Sequence, residues 1–312
     1  MIKLHQISLI NGEGKVKEAT VILAHENHVM DVLFTSDSKT LLSAGMDNTI
    51  KLWSVPSWQE ITSLEGHANS VNALAISSDE QNLVSGSTDA TIALWSYPGG
   101  SLLKSLSGHK KTVTDVALSP DGKIAASASY DSTVRLWSLP EGEELAVLKG
   151  HKKNLGSVAF SPGGEYLASA GLGDEIFIWS IPSGEQISRL RGHQVAVGGL
   201  TFSPDGQYLA SSGGEQAVLL WSTQDWEIAH RFEFDGKPGY PKSIAFSPDW
   251  KTMALGSAYQ VQLLSIETGE LLDEVNLKIK GVYTLTFSPD GRWLANAAAD
   301  KRVRVWDLSP NA

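Results

Sequence analysis

Residues 108–148 read GHKKTVTDVALSPDGKIAASASYDSTVRLWSLPEGEELAVL. After Gly108-His109 comes an apolar run built on Val113, Val116 and Leu118. Ser119-Pro120-Asp121-Gly122 is a tight turn, because proline presets φ and glycine accepts φ > 0. A second short run covers 124–129, and Tyr130-Asp131-Ser132 turns again. Residues 133–137 alternate with period two, as a strand does. Pro140-Glu141-Gly142 makes a third turn before the apolar run 145–148. Four short strands fill the segment and leave no room for a helix.

The pattern repeats along the chain. Trp53, Trp95, Trp137, Trp179 and Trp221 are each 42 residues apart; a further 43 reaches Leu264, and 42 more reaches Trp306. His25, His67, His109, His151 and His193 keep the same period, and the last four each follow a glycine. A period of this size marks a closed array of supersecondary units. One four-stranded sheet cannot bury both its faces, but sheets stacked in a ring can. Seven units of 42 nearly exhaust the 312 residues, so residues 1–312 are read as one ring, although length alone suggests two domains.

Composition narrows the function classes. The chain has 42% hydrophobic residues, no cysteine and a net charge of −10. Disulfides, thiolate metal sites and cysteine nucleophiles are excluded, and the acidity argues against nucleic-acid binding. No stretch approaches the length of a membrane span, and residues 7–10 are too short for a signal-peptide core. The expectation is a cytoplasmic protein.

Gly-His, Ser-Pro-Asp-Gly and Ser-Ala-Ser-Tyr-Asp-Ser-Thr-Val-Arg-Leu-Trp in the third repeat resemble the WD-repeat β-propeller family, over about residues 17–308. Five of the six periodic tryptophans precede serine, and only Trp306-Asp307 is a literal WD pair. The resemblance implies an all-β fold: a single seven-bladed propeller of four-stranded antiparallel blades. It also implies a hydrogen-bonded tetrad in each blade. These are His25, Ser43, Asp47 and Trp53 in blade 1, His67, Ser85, Asp89 and Trp95 in blade 2, and His109, Ser127, Asp131 and Trp137 in blade 3. Later blades depart from it. Blade 4 keeps His151, Ser169 and Trp179 but has Gly173 in the aspartate position, with Asp174 one residue late. Blade 5 has His193, Ser211 and Trp221 with Glu215. Blade 6 has Lys237, Ala254, Ala258 and Leu264. Blade 7 retains Asp300 and Trp306 beside Lys278 and Asn296. Blades 1–3 are therefore expected to be the most rigid and blade 6 the weakest.

Only six residues follow Trp306, so the last blade lacks a fourth strand of its own. Residues 17–23 stand where a fourth strand belongs, and the N-terminal strand is expected to close the ring and cover an exposed edge. Residues 1–16 are expected to add an extra strand.

The residues that could carry chemistry read as architecture. The five periodic histidines lie around a ring and cannot converge on a metal, and repeated Ser, His and Asp sets argue against one active site. No nucleophile elbow, phosphate loop or calcium loop occurs. The reading is a protein that is not an enzyme, with no metal and no cofactor. Asp31 and Asp115, six residues after their histidines, are the acids on which a channel-based enzyme or ligand site would rest. Trp58, Trp226, Trp250 and Trp293 fall outside the period; they either pack between blades or serve as exposed anchors.

Propeller topology sends the turns between strands one and two, and three and four, to one face, here the bottom. The three-to-four turns carry Glu60, Glu141, Glu143, Glu144, Glu185, Asp225, Glu227, Glu267 and Glu270 with no Lys or Arg, predicting an acidic bottom. The top is expected to hold a basic arc of Lys110, Lys111, Lys152 and Lys153, with Lys149, Arg191, Lys237, Lys242, Lys278 and Lys280 nearby. The resemblance places interaction positions on the top: His28, Met30 and Met46 in blade 1, Asn72 in blade 2, Thr114 and Tyr130 in blade 3, Leu172 in blade 4, Tyr240 and Lys242 in blade 6, and Tyr283 in blade 7. Small residues in blades 4 and 5 predict a shallow recess, and Tyr240 and Tyr283 are expected to flank the seam between blades 6 and 7. The leading expectation is a scaffold that docks a protein or peptide segment, acidic in character, on this top face, with no membrane and no nucleic acid involved. The alternatives are a structural subunit using the acidic bottom, and an enzyme or ligand-binding propeller using the channel. The propeller would act as a monomer or as a subunit of a complex.

Overall fold

The computed structural model describes residues 19–233, 243–277 and 281–309. Every regular element among them is a strand, and the strands form seven four-stranded antiparallel sheets. Blade 3 shows the pattern: Val113–Leu118, Ile124–Ser129, Val134–Ser138 and Glu144–Leu148 pair in sequence order. The first strands of successive blades touch one another, and the first strand of blade 7 touches that of blade 1, so they form the inner wall of a closed ring.

The last blade is completed from the other end of the chain. Thr20–Leu23 pairs antiparallel with Arg302–Asp307, matching Thr20 to Val305 and Leu23 to Arg302. This covers the edge that Arg302–Asp307 would otherwise offer to another chain. The extra strand expected over residues 1–16 lies outside the described residues.

The apolar core is divided among the spaces between blades. Val84, Ile92 and Leu94 of blade 2 pack against Val113, Val116, Ala125 and Trp137 of blade 3. The second strand is buried along almost its whole length because it has a neighbouring blade on each face; Ile124–Ser129 is an example. Small residues recur there, as in IAASAS, since two blades must approach it closely. Register shifts before the fourth strand fall at Trp53, Trp95, Trp137, Trp179, Trp221 and also Leu264. The bulge bends these six sheets at the residue that fills the space between blades.

The tryptophans outside the period pack between blades. Trp58 of blade 1 meets Trp293 of blade 7 edge-on at 5.1 Å, directly across the ring closure. Trp226 meets Tyr166 of blade 4 at 5.3 Å. Trp250 stacks on Tyr208 of blade 5 at 6.2 Å and meets Phe246 of its own blade at a tilt, at 4.3 Å. Trp58 and Trp226 hold φ of 57° and 61° at turn positions where Gly100, Gly142, Gly184 and Gly269 hold 65° to 72°. A left-handed tryptophan is strained by ~1–3 kcal/mol, and burial of its ring against the neighbouring blade offsets that cost.

Candidate functional site

In blades 1 to 3 the expected residues are joined by hydrogen bonds. Trp137 Nε1 donates to Ser127 Oγ at 2.9 Å, Ser127 Oγ lies 2.8 Å from His109 Nε2, and His109 Nδ1 lies 2.9 Å from Asp131 Oδ2. Blades 1 and 2 repeat this through His25, Ser43, Asp47 and Trp53 and through His67, Ser85, Asp89 and Trp95. A carboxylate only accepts, so the histidine carries its proton on Nδ1 and accepts a hydrogen bond from the serine hydroxyl at Nε2. The aspartate accepts more. Lys110 N donates to Asp131 Oδ2 at 2.9 Å, and Thr133 Oγ1 donates to Oδ1 at 2.6 Å. Burial alone would raise the Asp131 pKa, but donors from Thr133, Lys110 and His109 hold it well below the usual carboxylate range. Burial lowers His109 in spite of the aspartate, so the ring is neutral. The threonine two residues after each aspartate was missed from the sequence; Asp47-Asn48-Thr49, Asp89-Ala90-Thr91 and Asp131-Ser132-Thr133 carried that signal.

The later blades lose this network stepwise. Glu215 reaches His193 Nδ1 at 2.5 Å, but its Oε2 has no hydrogen-bond partner among the described residues. In blade 4, Trp179, Ser169 and His151 keep their bonds at 2.8 Å, while Gly173 supplies no carboxylate. Asp300 of blade 7 binds Arg302 and Arg304 instead of a histidine, and Trp306 Nε1 and Asn296 Oδ1 lack partners among the described residues.

The channel acids have structural work. Asp31 accepts from Leu74 N of blade 2 at 2.7 Å and from Val32 N at 2.8 Å. Asp115 accepts from Val158 N of blade 4 and from Val116 N at 2.8 and 2.9 Å. Ser157 and Ser243 receive the equivalent donors Leu200 N and Leu285 N. The innermost strand of each blade is a sheet edge, and these side chains satisfy its N–H groups across the blade boundary. Burial raises Asp31 to about 6. Burial, with help from the Asp31 charge, raises Asp115 to about 7. No group of metal-ligating side chains is found among the described residues.

The top-face candidates separate into braces and free surface. Asn72 donates to Thr88 Oγ1 and to Val113 O, and Thr114 donates to Ala128 O and Leu155 O. Both tie their blade to the next one. Tyr283 follows the same lean: its hydroxyl lies 3.2 Å from His28 Nδ1, and the rings stack at 6.0 Å. It therefore sits at the seam between blades 7 and 1, not between blades 6 and 7, because this position points toward the following blade. Met30 and Met46 are half-buried. Tyr130 and Leu172 are exposed, at 41% and 59%. Tyr240, Lys242, Lys237, Lys278 and Lys280 lie outside the described residues.

A recess of about 280 Å³ opens at blades 4 and 5. His151, Lys152, Lys153, Leu172, Gly173 and Val195 are part of its wall. Lys110, Lys111, Lys152 and Lys153 are all exposed. On the bottom, Glu60 pairs with Lys51 at 2.9 Å and Glu144 pairs with Arg135, so two of the expected free acids are bridged to third strands. The one-to-two turns also set Lys39, Lys123 and Lys251 within 3.7–3.9 Å of Asp37, Asp121 and Asp249. This side is acidic through the three-to-four turns and mixed elsewhere.

The family described as WD domain, G-beta repeat, matches residues 17–54, 58–96, 100–138, 142–180, 184–222 and 277–307. These segments pass over residues 223–276, which contain the blade without tetrad residues. A 50-residue stretch is 40% identical to WD repeat-containing protein 36 of Homo sapiens, covering 16% of this chain and 6% of that protein. A 94-residue stretch is 30% identical to the small ribosomal subunit protein RACK1 of Schizosaccharomyces pombe, covering 27% and 29%. An 86-residue stretch is 30% identical to WD repeat-containing protein 1 of Mus musculus, covering 26% and 14%. The matched stretches span less than a third of each relative.

Proposed function

This chain belongs to the WD-repeat family, and from that premise we propose that it is a non-enzymatic, cytoplasmic scaffold whose top face docks a segment of a protein partner. The observation that carries the reading is the recess of about 280 Å³ beside exposed Leu172 and Val195, with paired lysines on two adjacent blades. Apolar side chains at an open recess supply contact area, and a basic rim steers an acidic segment toward it. The channel acids favour a structural role over catalysis, since each is engaged by backbone donors of two blades. The ribosomal relative is named as a subunit of an assembly, which keeps assembly through the bottom face as a second reading.

The test replaces Tyr130 and Leu172 together with alanine, and separately replaces Glu143 and Glu185 on the bottom with lysine. Each tagged protein is used to capture partners from the source cells. Loss of the captured partner with the top variant alone, with circular dichroism unchanged, supports top-face docking. Loss with the bottom variant alone overturns it in favour of assembly through the bottom.

A further inference from the structure

In blades 1, 2 and 3 one carboxylate is held by two convergent donors. The histidine Nδ1 lies 2.9–3.0 Å away, and the backbone N–H of the next residue donates at 2.8–2.9 Å: Glu26 to Asp47, Ala68 to Asp89 and Lys110 to Asp131. Blade 4 retains the donor side of this arrangement. His151 Nε2 remains 2.8 Å from Ser169 Oγ, which takes the Trp179 N–H at 2.8 Å, so the ring is oriented as in the intact blades. Phe177 stacks on it at 3.9 Å and holds it in place. Burial keeps His151 neutral, with its pKa pushed down to about 4. Its Nδ1 and the Lys152 N–H have no hydrogen-bond partner among the described residues, and both residues line the recess.

We propose that an Asp or Glu side chain of the docked partner enters the recess of blade 4 and takes the place of the aspartate that Gly173 does not supply. Its carboxylate accepts from His151 Nδ1 and Lys152 N, completing the tetrad between two molecules. The charges around the recess permit this. Lys152 and Lys153 are exposed on its wall. Two acids oppose the incoming carboxylate: the exposed Asp174, and Glu175, which acts on His151 but is paired with Arg191 at 2.8 Å and with Arg189 at 3.6 Å. Exposed Leu172 and Val195, at 59% and 46%, offer apolar contacts to residues flanking the acid, which favours a peptide over a free carboxylate. The inference rests on the top-face reading above and narrows it to one anchor.

The test uses acetyl-Leu-Glu-Glu-Leu-amide, its Gln-for-Glu counterpart and sodium acetate as probes, read by the His151 imidazole nitrogen signals and by titration calorimetry. A charge-assisted pair of hydrogen bonds predicts that the Glu peptide binds at least ~10-fold tighter than the Gln peptide and shifts His151. Gly173→Asp supplies the carboxylate from within; a Cβ there meets nothing closer than 3.9 Å, so it fits. This variant should raise the melting temperature and weaken the Glu peptide at least ~10-fold, while Gly173→Ala leaves binding unchanged. Equal binding of the Glu and Gln peptides, no His151 shift at millimolar Glu peptide, or full binding by Gly173→Asp overturns the proposal. An acetate shift equal to that of the peptide at the same concentration overturns the peptide assignment. If a captured partner is lost with Tyr130→Ala/Leu172→Ala but retained by Gly173→Asp, docking stands and this anchor fails.

Discussion

Blade 3 and blade 6 share strand order and the register shift before the fourth strand, yet they are held together differently. Blade 3 has the complete network of His109, Ser127, Asp131 and Trp137. Blade 6 has Ala254 and Leu264 in two of those positions, and Met253, Leu255 and Leu264 pack on Ala210, Val218 and Leu220 of blade 5. A blade therefore needs alternating apolar residues and a neighbour on each face. The polar network is a further layer: it satisfies a buried tryptophan and histidine and pins the top-face turn to the sheet. The cost of that layer is dependence on every member, because a half-satisfied buried network is worse than an apolar one.

Five experiments test this comparison, counting the paired substitutions in blades 3 and 6 as one. The largest effect is expected at blade 7, which borrows its outer strand from the opposite end of the chain. Deleting residues 1–23 leaves Arg302–Asp307 as an open edge, and the protein should aggregate or lose its cooperative unfolding transition, measured by light scattering and calorimetry. Next, Ser127→Ala in blade 3 leaves Trp137 Nε1 and His109 Nε2 without their shared partner and should cost ~2–4 kcal/mol. Ala254→Ser at the matching position of blade 6 adds one buried hydroxyl to an apolar layer and should cost about 1–2 kcal/mol. Chemical denaturation reads both, and equal losses would erase the distinction between the two blades.

Acidity separates the blades with a defined sign. Burial depresses His109 below its ordinary 6.5, so its contribution is fully present above that pH and is lost as pH falls toward the lowered value. The depressed Asp131 contributes above 3.8 and loses its contribution as pH falls through its folded value. Amide exchange protection relative to blade 6 should therefore decline in blade 3 as pH drops below 6.5. The channel acids act in the opposite direction. Asp31 and Asp115 are raised to about 6 and about 7, so their contribution is full below 3.8 and is lost as pH rises through those values. Carboxyl carbon signals should place the Asp115 midpoint near neutrality and show Asp131 ionised throughout that range. The smallest effect is expected for Trp58→Gly, which relieves a left-handed backbone but removes the ring packed on Trp293, for a net loss of about 1 kcal/mol in denaturation.

Repeat spacing along the chain carried the number of blades and the strand order, because it is a one-dimensional signal that persists even where Leu264 replaces tryptophan, while the tetrad residues were implied by the resemblance to the WD-repeat family. Closure of the ring by the N-terminal strand was expected too, and the pairing of Thr20–Leu23 with Arg302–Asp307 shows it. What depends on the approach of different blades was decided only by the tertiary structure. Asp31 and Asp115 looked like free channel acids until the backbone N–H groups of the next blade came within 2.7–2.8 Å. Tyr283 looked like a partner of blade 6 until it stacked on His28 of blade 1. Glu60 and Glu144 counted as bottom-face charge until third-strand cations reached them. Periodicity fixes what each residue does within its own repeat. Which donor, ring or charge faces it across the boundary depends on how neighbouring blades pack, and no spacing along the chain encodes that.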